Sequence, residues 1–274
     1  MKNPESPVIR TAVILNSDRV YAECLRQMVL RAFPGTRVEI ATTVTGAAGL
    51  LDTLSVDLFV TGIGASIDGD VLELLSRYLE PPHAGQHVLV VSARGGYREL
   101  AALRTLGIGG VFDSAAEPSE QLIEAIRTVA TGGRYWSATI VDHMIRSGLS
   151  INPVVRILTT FEQLALCIIG DGSDDTAAAQ ELGVSPSTVS SVRRDIHRKL
   201  GVQHRGELVR VAAQYGFVRF TPGGVVRPGY SLLSAAYQAK RNKRAQYSAT
   251  LRRSEPAQTS RHENAVLPLT VAFG

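Results

Sequence analysis

Two patterns of apolar residues alternate over residues 8–133. Short runs rich in β-branched residues predict five strands, at residues 8–15, 36–41, 56–61, 87–93 and 109–113. Apolar residues at helical spacing predict five helices, at residues 19–33, 45–54, 69–79, 97–107 and 118–133. Strands that alternate with helices are typical of a parallel sheet covered on both faces. We therefore expect an α/β domain over residues 1–132, built on a doubly wound, five-stranded parallel sheet.

The third predicted strand ends in a glycine-rich loop, "DLFVTGIGASIDG". A doubly wound sheet places its functional groups at the carboxyl ends of its strands. Here the strand ends in Thr61, Gly62 and Ile63, which carry no charge, no metal ligand and no strong nucleophile. The loop is therefore placed as a functional site would be, but it lacks the residues that chemistry needs.

The pattern changes after the last strand–helix unit. Residues 133–155 contain scattered Gly, Ser and Pro and are interpreted as a linker with a short helix at 137–147. Four short helical segments follow, separated by glycines, at residues 159–172, 174–183, 185–201 and 205–216. We expect an all-α, four-helix domain over residues 156–221.

The second and third of these segments have the signals of a helix-turn-helix. Thr159 and Glu162 form a predicted capping box that opens the first helix. Gly183 provides a tight turn, Ser185 suits the N-cap, and Pro186 suits the first helical position. In a helix-turn-helix, the helix that follows the turn enters the DNA major groove.

The helix after the turn has one apolar and one polar face. Val189, Val192, Ile196 and Leu200 lie on one stripe and are expected to face the core. Hydroxyl groups and arginines on the other face suit base edges, and basic residues suit phosphates. The predicted DNA-binding residues are Ser187, Thr188, Ser190, Ser191, Arg193, Arg194, His197, Arg198 and Lys199. The simpler alternative is a solvated basic helix face.

Residues 158–218 resemble the LuxR-type helix-turn-helix of bacterial transcription factors. The resemblance rests on an opening Leu-Thr and Glu-Gln, a Gly-Val-Ser turn, a Thr-Val helix start, an Arg-Lys-Leu end and Arg-x-Glu-Leu in the last helix. It implies binding to double-stranded DNA as a homodimer. The dimerisation face implied for the last helix consists of Leu208, Val211, Ala212 and Tyr215. Ser190 and Val192 replace residues frequent in the family, so the DNA sequence recognised does not carry over.

The α/β part resembles a response-regulator receiver of the NarL/FixJ arrangement, which implies a flavodoxin/CheY-like fold. A receiver transfers a phosphoryl group to an Asp with the help of Mg²⁺, a hydroxyl and a Lys. The corresponding positions here hold Asn16, Ser17, Asp18, Gly62, Ser92 and Ser114. Only the hydroxyl of Ser92 remains, so we interpret the domain as a pseudo-receiver that is not phosphorylated on Asp. Asp68 is an alternative acceptor, although Asp-Gly more often marks a turn.

Charge is unevenly distributed along the chain. Residues 1–149 hold 13 basic and 16 acidic residues, whereas residues 222–274 hold 8 and 2. The basic tail, residues 222–274, includes a possible helix at 231–247, and its last part is expected to be disordered. It either adds DNA phosphate contacts or is a solvated tail, and the sequence leaves both alternatives open.

Other classes of function find little support in the residues. No His, Cys, Asp or Glu cluster has metal-ligand spacing, and no glycine loop binds phosphate, so we expect no metal, no cofactor and no enzyme activity. No long apolar run or secretory signal occurs, so we expect a cytoplasmic protein without membrane contact. Cys24 and Cys167 are expected to be reduced and buried. The leading hypothesis is a dimeric, sequence-specific transcription regulator. The alternative is an interaction protein whose pseudo-receiver binds a partner or ligand.

Overall fold

The computed structural model describes residues 8–63, 68–79, 87–93, 97–148, 154, 157–221 and 224–254. The strands are β1 Thr11–Leu15, β2 Arg37–Ala41, β3 Leu58–Thr61, β4 His87–Ser92, β5 Gly110–Asp113, β6 Tyr135–Trp136, β7 Arg219–Thr221 and β8 Gly224–Val226. The helices of the α/β part are α1 Arg19–Ala32, α2 Val44–Thr53, α3 Val71–Tyr78, α4 Tyr97–Thr105, α5 Ser119–Ala130 and α6 Ala138–Gly148. Those that follow are α7 Thr160–Ile169, α8 Asp175–Leu182, α9 Pro186–Leu200, α10 Arg205–Gln214 and α11 Tyr230–Ser254.

The first six strands form one parallel sheet in the order β2-β1-β3-β4-β5-β6. The chain starts near the middle, adds β2 on one side and then crosses to build the other side. This order places helices on both faces, as the alternating pattern predicted. The doubly wound α/β fold with a helical part after it is confirmed.

Alternate strand residues pack on opposite faces of this sheet. Val13, Phe59 and Val90 pack with α2, α3 and α4, whereas Ile14, Val60 and Leu89 pack with α1 and α5. All six side chains are fully buried. The strands are therefore apolar on both faces, which is why they appear in the sequence as continuous apolar runs.

The sheet has six strands rather than the five predicted. Tyr135 and Trp136 pair in parallel with Gly110 and Val111 of β5. Two residues are too few to show a strand period, and Gly132 and Gly133 before them suggested a loop. The short helix expected at residues 137–147 is present as α6, and its Ile140 packs into the sheet core.

Helices α7 to α10 share one core of their own. It includes Leu166, Ile168, Val189, Ile196 and Leu208, which are at most 1% exposed. Cys167 is buried in this core, but Cys24 is exposed on α1, so its predicted burial is wrong. Position 24 lies between the buried residues Ala22 and Leu25 and turns to the solvent face of the helix.

The chain after α10 forms a short antiparallel hairpin, β7–β8, followed by the helix α11. The chain divides into two compact units, residues 1–235 and 236–274. The helix expected at residues 231–247 is confirmed and extends to Ser254. Most of the segment expected to be disordered lies outside the described residues. Within the part of the chain that the structure describes, no helix is both long and apolar enough to span a membrane.

Candidate nucleic-acid interface and strand-end site

The predicted turn between α8 and α9 has the geometry of a helix-turn-helix. Gly183 adopts left-handed angles, φ 65° and ψ 39°, which glycine tolerates best. The Val184 amide donates to the Ala179 carbonyl at 3.0 Å and closes the end of α8. Ser185 then accepts the Thr188 amide at 3.2 Å, and Pro186 begins α9. The predicted turn, cap and helix start are confirmed.

The apolar side of α9 faces the helical core. Val189 and Ile196 are 1% and 0% exposed, and Val192 and Leu200 pack against the same core while half-buried. Ala178 and Ala179 of α8 are also buried, so small side chains let the two helices approach. This packing fixes which face of α9 turns to solvent.

The opposite face of α9 carries hydroxyl groups and arginines. Ser187, Thr188, Ser191, Arg194 and Arg198 are exposed, and Ser190 is half-buried. Arg194 donates to Ser191 at 3.2 Å, and Arg198 donates to Asp195 at 2.8 Å. The Arg198 side chain is 75% exposed, so its pairing with Asp195 is a weak surface pair that a phosphate can replace.

Three other predicted DNA contacts have partners outside α9 in the same chain. Arg193 donates to Asp175 of α8 at 2.9 Å, and its buried Nε has no partner among the described residues. Lys199 lies 2.7 Å and 2.9 Å from the two oxygens of Glu162. The ring Nδ1 of His197 donates to the Val202 carbonyl at 2.9 Å. These side chains hold α9 on its neighbours.

Glu162 is the centre of this attachment. It closes the predicted capping box with Thr159, whose amide it accepts at 2.7 Å. Burial raises the pKa of Glu162, but the hydrogen bonds from Lys199 and Thr159 outweigh it and lower the pKa below its usual range. Glu162 is therefore an ionised, nearly buried carboxylate that joins α7 to the end of α9.

The residues implied for dimerisation do not form an exposed face of α10. Leu208 and Ala212 are 0% exposed, Val211 is 8% exposed, and Tyr215 packs against the same core while half-buried. The solvent side of α10 carries Arg210, Ala213 and Gln214 instead. Apolar spacing identified the buried face of α10, but it did not show that the helical core of the same chain covers that face.

The predicted degenerate site is assembled at one edge of the sheet. Leu15 pairs with Thr61, and Ser92 pairs with Asp113, so the strands end together. The Gly62 amide lies 3.4 Å from the Leu15 carbonyl, and the Ser114 amide donates to the Ser92 carbonyl at 3.0 Å. Asn16, Ser17 and Asp18 follow β1 at the same edge.

The nearby carboxylates accept hydrogen bonds from backbone amides. Asp18 caps α1 by accepting the Val20 and Tyr21 amides, and Asn16 accepts the Asp18 amide at 2.9 Å. Asp68 accepts the amides of Val44 and Thr45 at the start of α2, at 2.9 Å and 2.8 Å.

Asp113 is similarly engaged, because it binds the Thr139 hydroxyl and the Ala115 amide. Among the residues the structure describes, no three His, Cys, Asp or Glu side chains are arranged to hold a metal ion.

Sequence reasoning missed one set of charged residues, Glu99, Arg219 and Arg227. Arg219 pairs with Glu99 of α4, and Arg227 pairs with Asp171, before α8, and with Glu181 of α8. The available signal was the stretch "FVRFTPGGVVRPGY", where apolar runs flank Pro-Gly-Gly as in a β-hairpin. The distant partners of its arginines could not be identified from that pattern.

Known proteins match both the helix-turn-helix and longer stretches of this chain. Residues 156–212 match the family described as bacterial regulatory proteins, luxR family. The chain is 30% identical over 100 residues to the transcriptional regulatory protein MctR of Rhizobium johnstonii, covering 36% of this chain and 46% of that protein. It is 30% identical over 132 residues to the transcriptional regulatory protein DesR of Bacillus subtilis, covering 48% and 61%. The chain thus spans about half the length of these two curated relatives.

Solved structures extend the likeness across both parts. RcsB of Salmonella enterica serovar Typhimurium, bound to the promoter P1flhDC, aligns with a TM-score of 0.51 at 18% identity. The alignment covers 75% of this chain and 98% of RcsB, which shows a shared fold. Residues 156–212 are therefore similar to the luxR family of bacterial regulatory proteins, in a chain that is similar to bacterial transcriptional regulatory proteins.

Proposed function

We propose that this chain is a sequence-specific, DNA-binding transcription regulator that acts as a dimer and needs no phosphorylation of an aspartate. The observation that carries the proposal is the α9 surface. Turn, cap and core packing fix the helix so that Ser187, Ser191 and Arg194 face solvent together. Hydroxyls and arginines on a helix of this geometry suit base edges and phosphates in the major groove.

The proposed DNA contacts form two groups. Arg194 and the hydroxyls of Ser187, Thr188, Ser190 and Ser191 read base edges or nearby phosphates, and Arg198 binds phosphate. Arg193, His197 and Lys199 act mainly through their partners inside the protomer. The proposed domains are residues 1–132, a linker at 133–155, the DNA-binding domain at 156–221 and the basic tail at 222–274.

The proposed independence from phosphorylation rests on the strand ends. Gly62 and Thr61 offer no carboxylate as acceptor, and Asp18 and Asp68 are engaged by helix amides. A single capping carboxylate is a poor Mg²⁺ site, since Mg²⁺ is usually held by one or two free carboxylates together with phosphate oxygens. The domain then serves as a scaffold for dimerisation or for control by another protein.

The basic tail adds a second proposed DNA contact. The helix α11 contains no acidic residue, and its Lys240, Arg241 and Lys243 are exposed. Each phosphate contact steepens the dependence of log K on log salt by about 0.9. Deletion of residues 236–274 is expected to flatten this slope by about 2 or more units. An unchanged slope would identify the helix as a solvated tail.

Selection from a library of random duplexes tests the DNA-binding proposal directly. The full chain is expected to enrich a two-fold-symmetric site. Arg194→Ala should then lose about 1–3 kcal/mol of discrimination at one base pair of each half-site. Arg104 is an exposed arginine of α4. Arg104→Ala is the matched control and should bind DNA as the unsubstituted chain does. Uniform retention without a motif would favour an interaction protein whose partner binds the sheet domain.

A further inference from the structure

A segment beyond the luxR match connects the helical part with the sheet. It consists of residues 219–221 and 224–232, and we call it the clasp. Strands β7 and β8 pair from Arg219↔Val226 to Thr221↔Gly224, and α11 begins at Tyr230. The clasp therefore begins five residues after Gln214, the last residue of α10, and carries the chain back to the α/β domain.

One end of the clasp is attached at the strand-end site. The Arg219 guanidinium donates to the Ile63 carbonyl at 2.8 Å and to the Glu99 carboxylate at 2.5 Å. Ile63 comes directly after Gly62, where a receiver would hold its acceptor. The Glu99 side chain is 1% exposed, so Arg219 supplies charge to a carboxylate that water barely reaches.

Further along, the clasp is attached to α3. The Gly229 amide donates to Asp70, the N-cap of α3, at 2.5 Å. The Ser231 hydroxyl donates to Glu73 at 2.9 Å, and Leu232 packs against the sheet core. These contacts hold the start of α11 on the α/β domain.

The same segment is attached to the helical part. Arg227 pairs with Asp171, in the loop after α7, and with Glu181 of α8. The side chains of Arg227 and Asp171 are 21% and 10% exposed. Tyr230 packs against the helical core. Arg227 and Tyr230 therefore contact the elements that support α9.

A direct contact between the two parts runs beside the clasp. The Arg98 guanidinium of α4 lies 4.6 Å from the centre of the Phe217 ring and donates to the Cys167 sulfur at 3.4 Å. Arg98 and Glu99 are neighbours on α4, so the contact continues the attachment that Arg219 makes. In this arrangement the polar face of α9 remains exposed.

We propose that Arg219 and Arg227 are positioning residues: through the clasp they fix the helix-turn-helix on the sheet domain with α9 open to DNA. The inference deepens the proposed function, on which it rests, by naming what replaces a phosphoryl switch. Arg219 of the clasp binds the Ile63 carbonyl, directly after the end of β3, and this contact needs no phosphoryl group. The arrangement is then a permanent property of the chain.

Distance measurement between spin labels tests the clasp without DNA. Cys24 is exposed and Cys167 is buried, so labels are placed on Cys24 and on Ala213→Cys, an exposed position of α10. The full chain is expected to give one narrow distance distribution. Arg219→Gln with Arg227→Gln should broaden it at least twofold, and Arg104→Gln should leave it narrow. Arg219→Lys, which retains the charge but not the forked geometry, should give an intermediate width.

Two further measurements keep the outcomes distinct. Glu99→Gln removes the buried negative charge itself, so no unpaired carboxylate remains in the interior. This variant therefore tests the clasp even where Arg219→Gln unfolds the chain. A distribution that stays narrow in Glu99→Gln and in the double arginine variant would overturn the clasp. Affinity for a selected DNA site should fall about tenfold in the double variant. If the original chain binds no specific DNA while the clasp variants broaden, the proposed function fails and the clasp stands.

Discussion

Lys199 tests whether a basic residue of α9 serves to bind DNA or to support the helix. Its ammonium lies 2.7 Å and 2.9 Å from the oxygens of Glu162, and Thr159 donates the third hydrogen bond to that carboxylate. Lys199→Met removes the charge and most of the attraction while keeping the length of the side chain. It leaves Glu162 as a nearly buried carboxylate with the hydrogen bond from the Thr159 amide alone.

The expected loss of stability follows from the exposure of the two groups. The side chains of Lys199 and Glu162 are 30% and 9% exposed. Removing one partner of a fully buried pair costs about 3–5 kcal/mol, whereas an unsatisfied buried polar group costs about 1–3 kcal/mol. Because Lys199 is partly open, water replaces some of its contact, and we expect a loss of about 2 kcal/mol.

Amide hydrogen exchange of the full chain measures this loss locally. A loss of about 2 kcal/mol predicts exchange about thirtyfold faster in peptides from α7 and α9, with α1 and α5 unchanged. Glu162→Gln with Lys199→Met should be less destabilised than the two single losses combined, since the pair is already absent. Arg198→Met, at the neighbouring exposed position, is the control and should not alter exchange.

The same variants measure the role of Lys199 in DNA binding. Lys199→Met should leave the salt slope of DNA binding nearly unchanged, and Arg198→Met should reduce it by about 0.9. Unaltered exchange together with a reduced slope in Lys199→Met would refute this reasoning. Lys199 would then be a phosphate contact, as its charge alone suggests.

Three further changes test other parts of the structure. Ser185→Ala removes the cap of α9 and should cost about 1 kcal/mol in urea unfolding, while Ser187→Ala, two residues on, should cost clearly less. In Gly110→Ala the new Cβ would lie 2.4 Å from Val129 Cγ2 and 2.7 Å from Leu89 Cδ1, so we expect a loss of about 1–3 kcal/mol. Gly49→Ala, on α2 with nothing within 4 Å, should be neutral or stabilising and is its control. Finally, hydrogen bonds hold the pKa of Glu162 below its usual 4.5 despite burial. The ionised Glu162 therefore stabilises the fold fully above about pH 4.5, and this stabilisation is lost as the pH falls through the lowered pKa. Glu162→Gln should flatten the acid limb of the unfolding curve, and an equally steep limb would contradict the assignment.

The sheet and helices could be predicted because their signals are local and repeated. Strands β1, β3 and β4 are apolar on both faces, and the caps at Thr159 and Ser185 lie within three residues of their partners. The strand β6 has only Tyr135 and Trp136, which is too short to show a period. Such a strand is defined by its neighbour in the sheet rather than by its own sequence.

Partners distant in the chain could not be predicted. The polar face of α9 was visible, but Asp175 lies 18 residues from Arg193, and Glu162 lies 37 residues from Lys199. Arg219 meets the Ile63 carbonyl across 156 residues. Charge and spacing revealed that these side chains are basic and lie near a helix end, whereas tertiary packing decides which carboxylate each one meets.

Selection of DNA fragments with the unphosphorylated full chain, from its own genome at near-physiological salt, tests the central claim most directly. Retained fragments are sequenced, and affinity for the enriched site is measured with and without a phosphodonor and Mg²⁺. We predict a two-fold-symmetric motif whose affinity the phosphodonor does not change. Labelling of Asp18 or Asp68 with a change in DNA affinity, or retention without any motif, would contradict a regulator that acts without a phosphoryl switch.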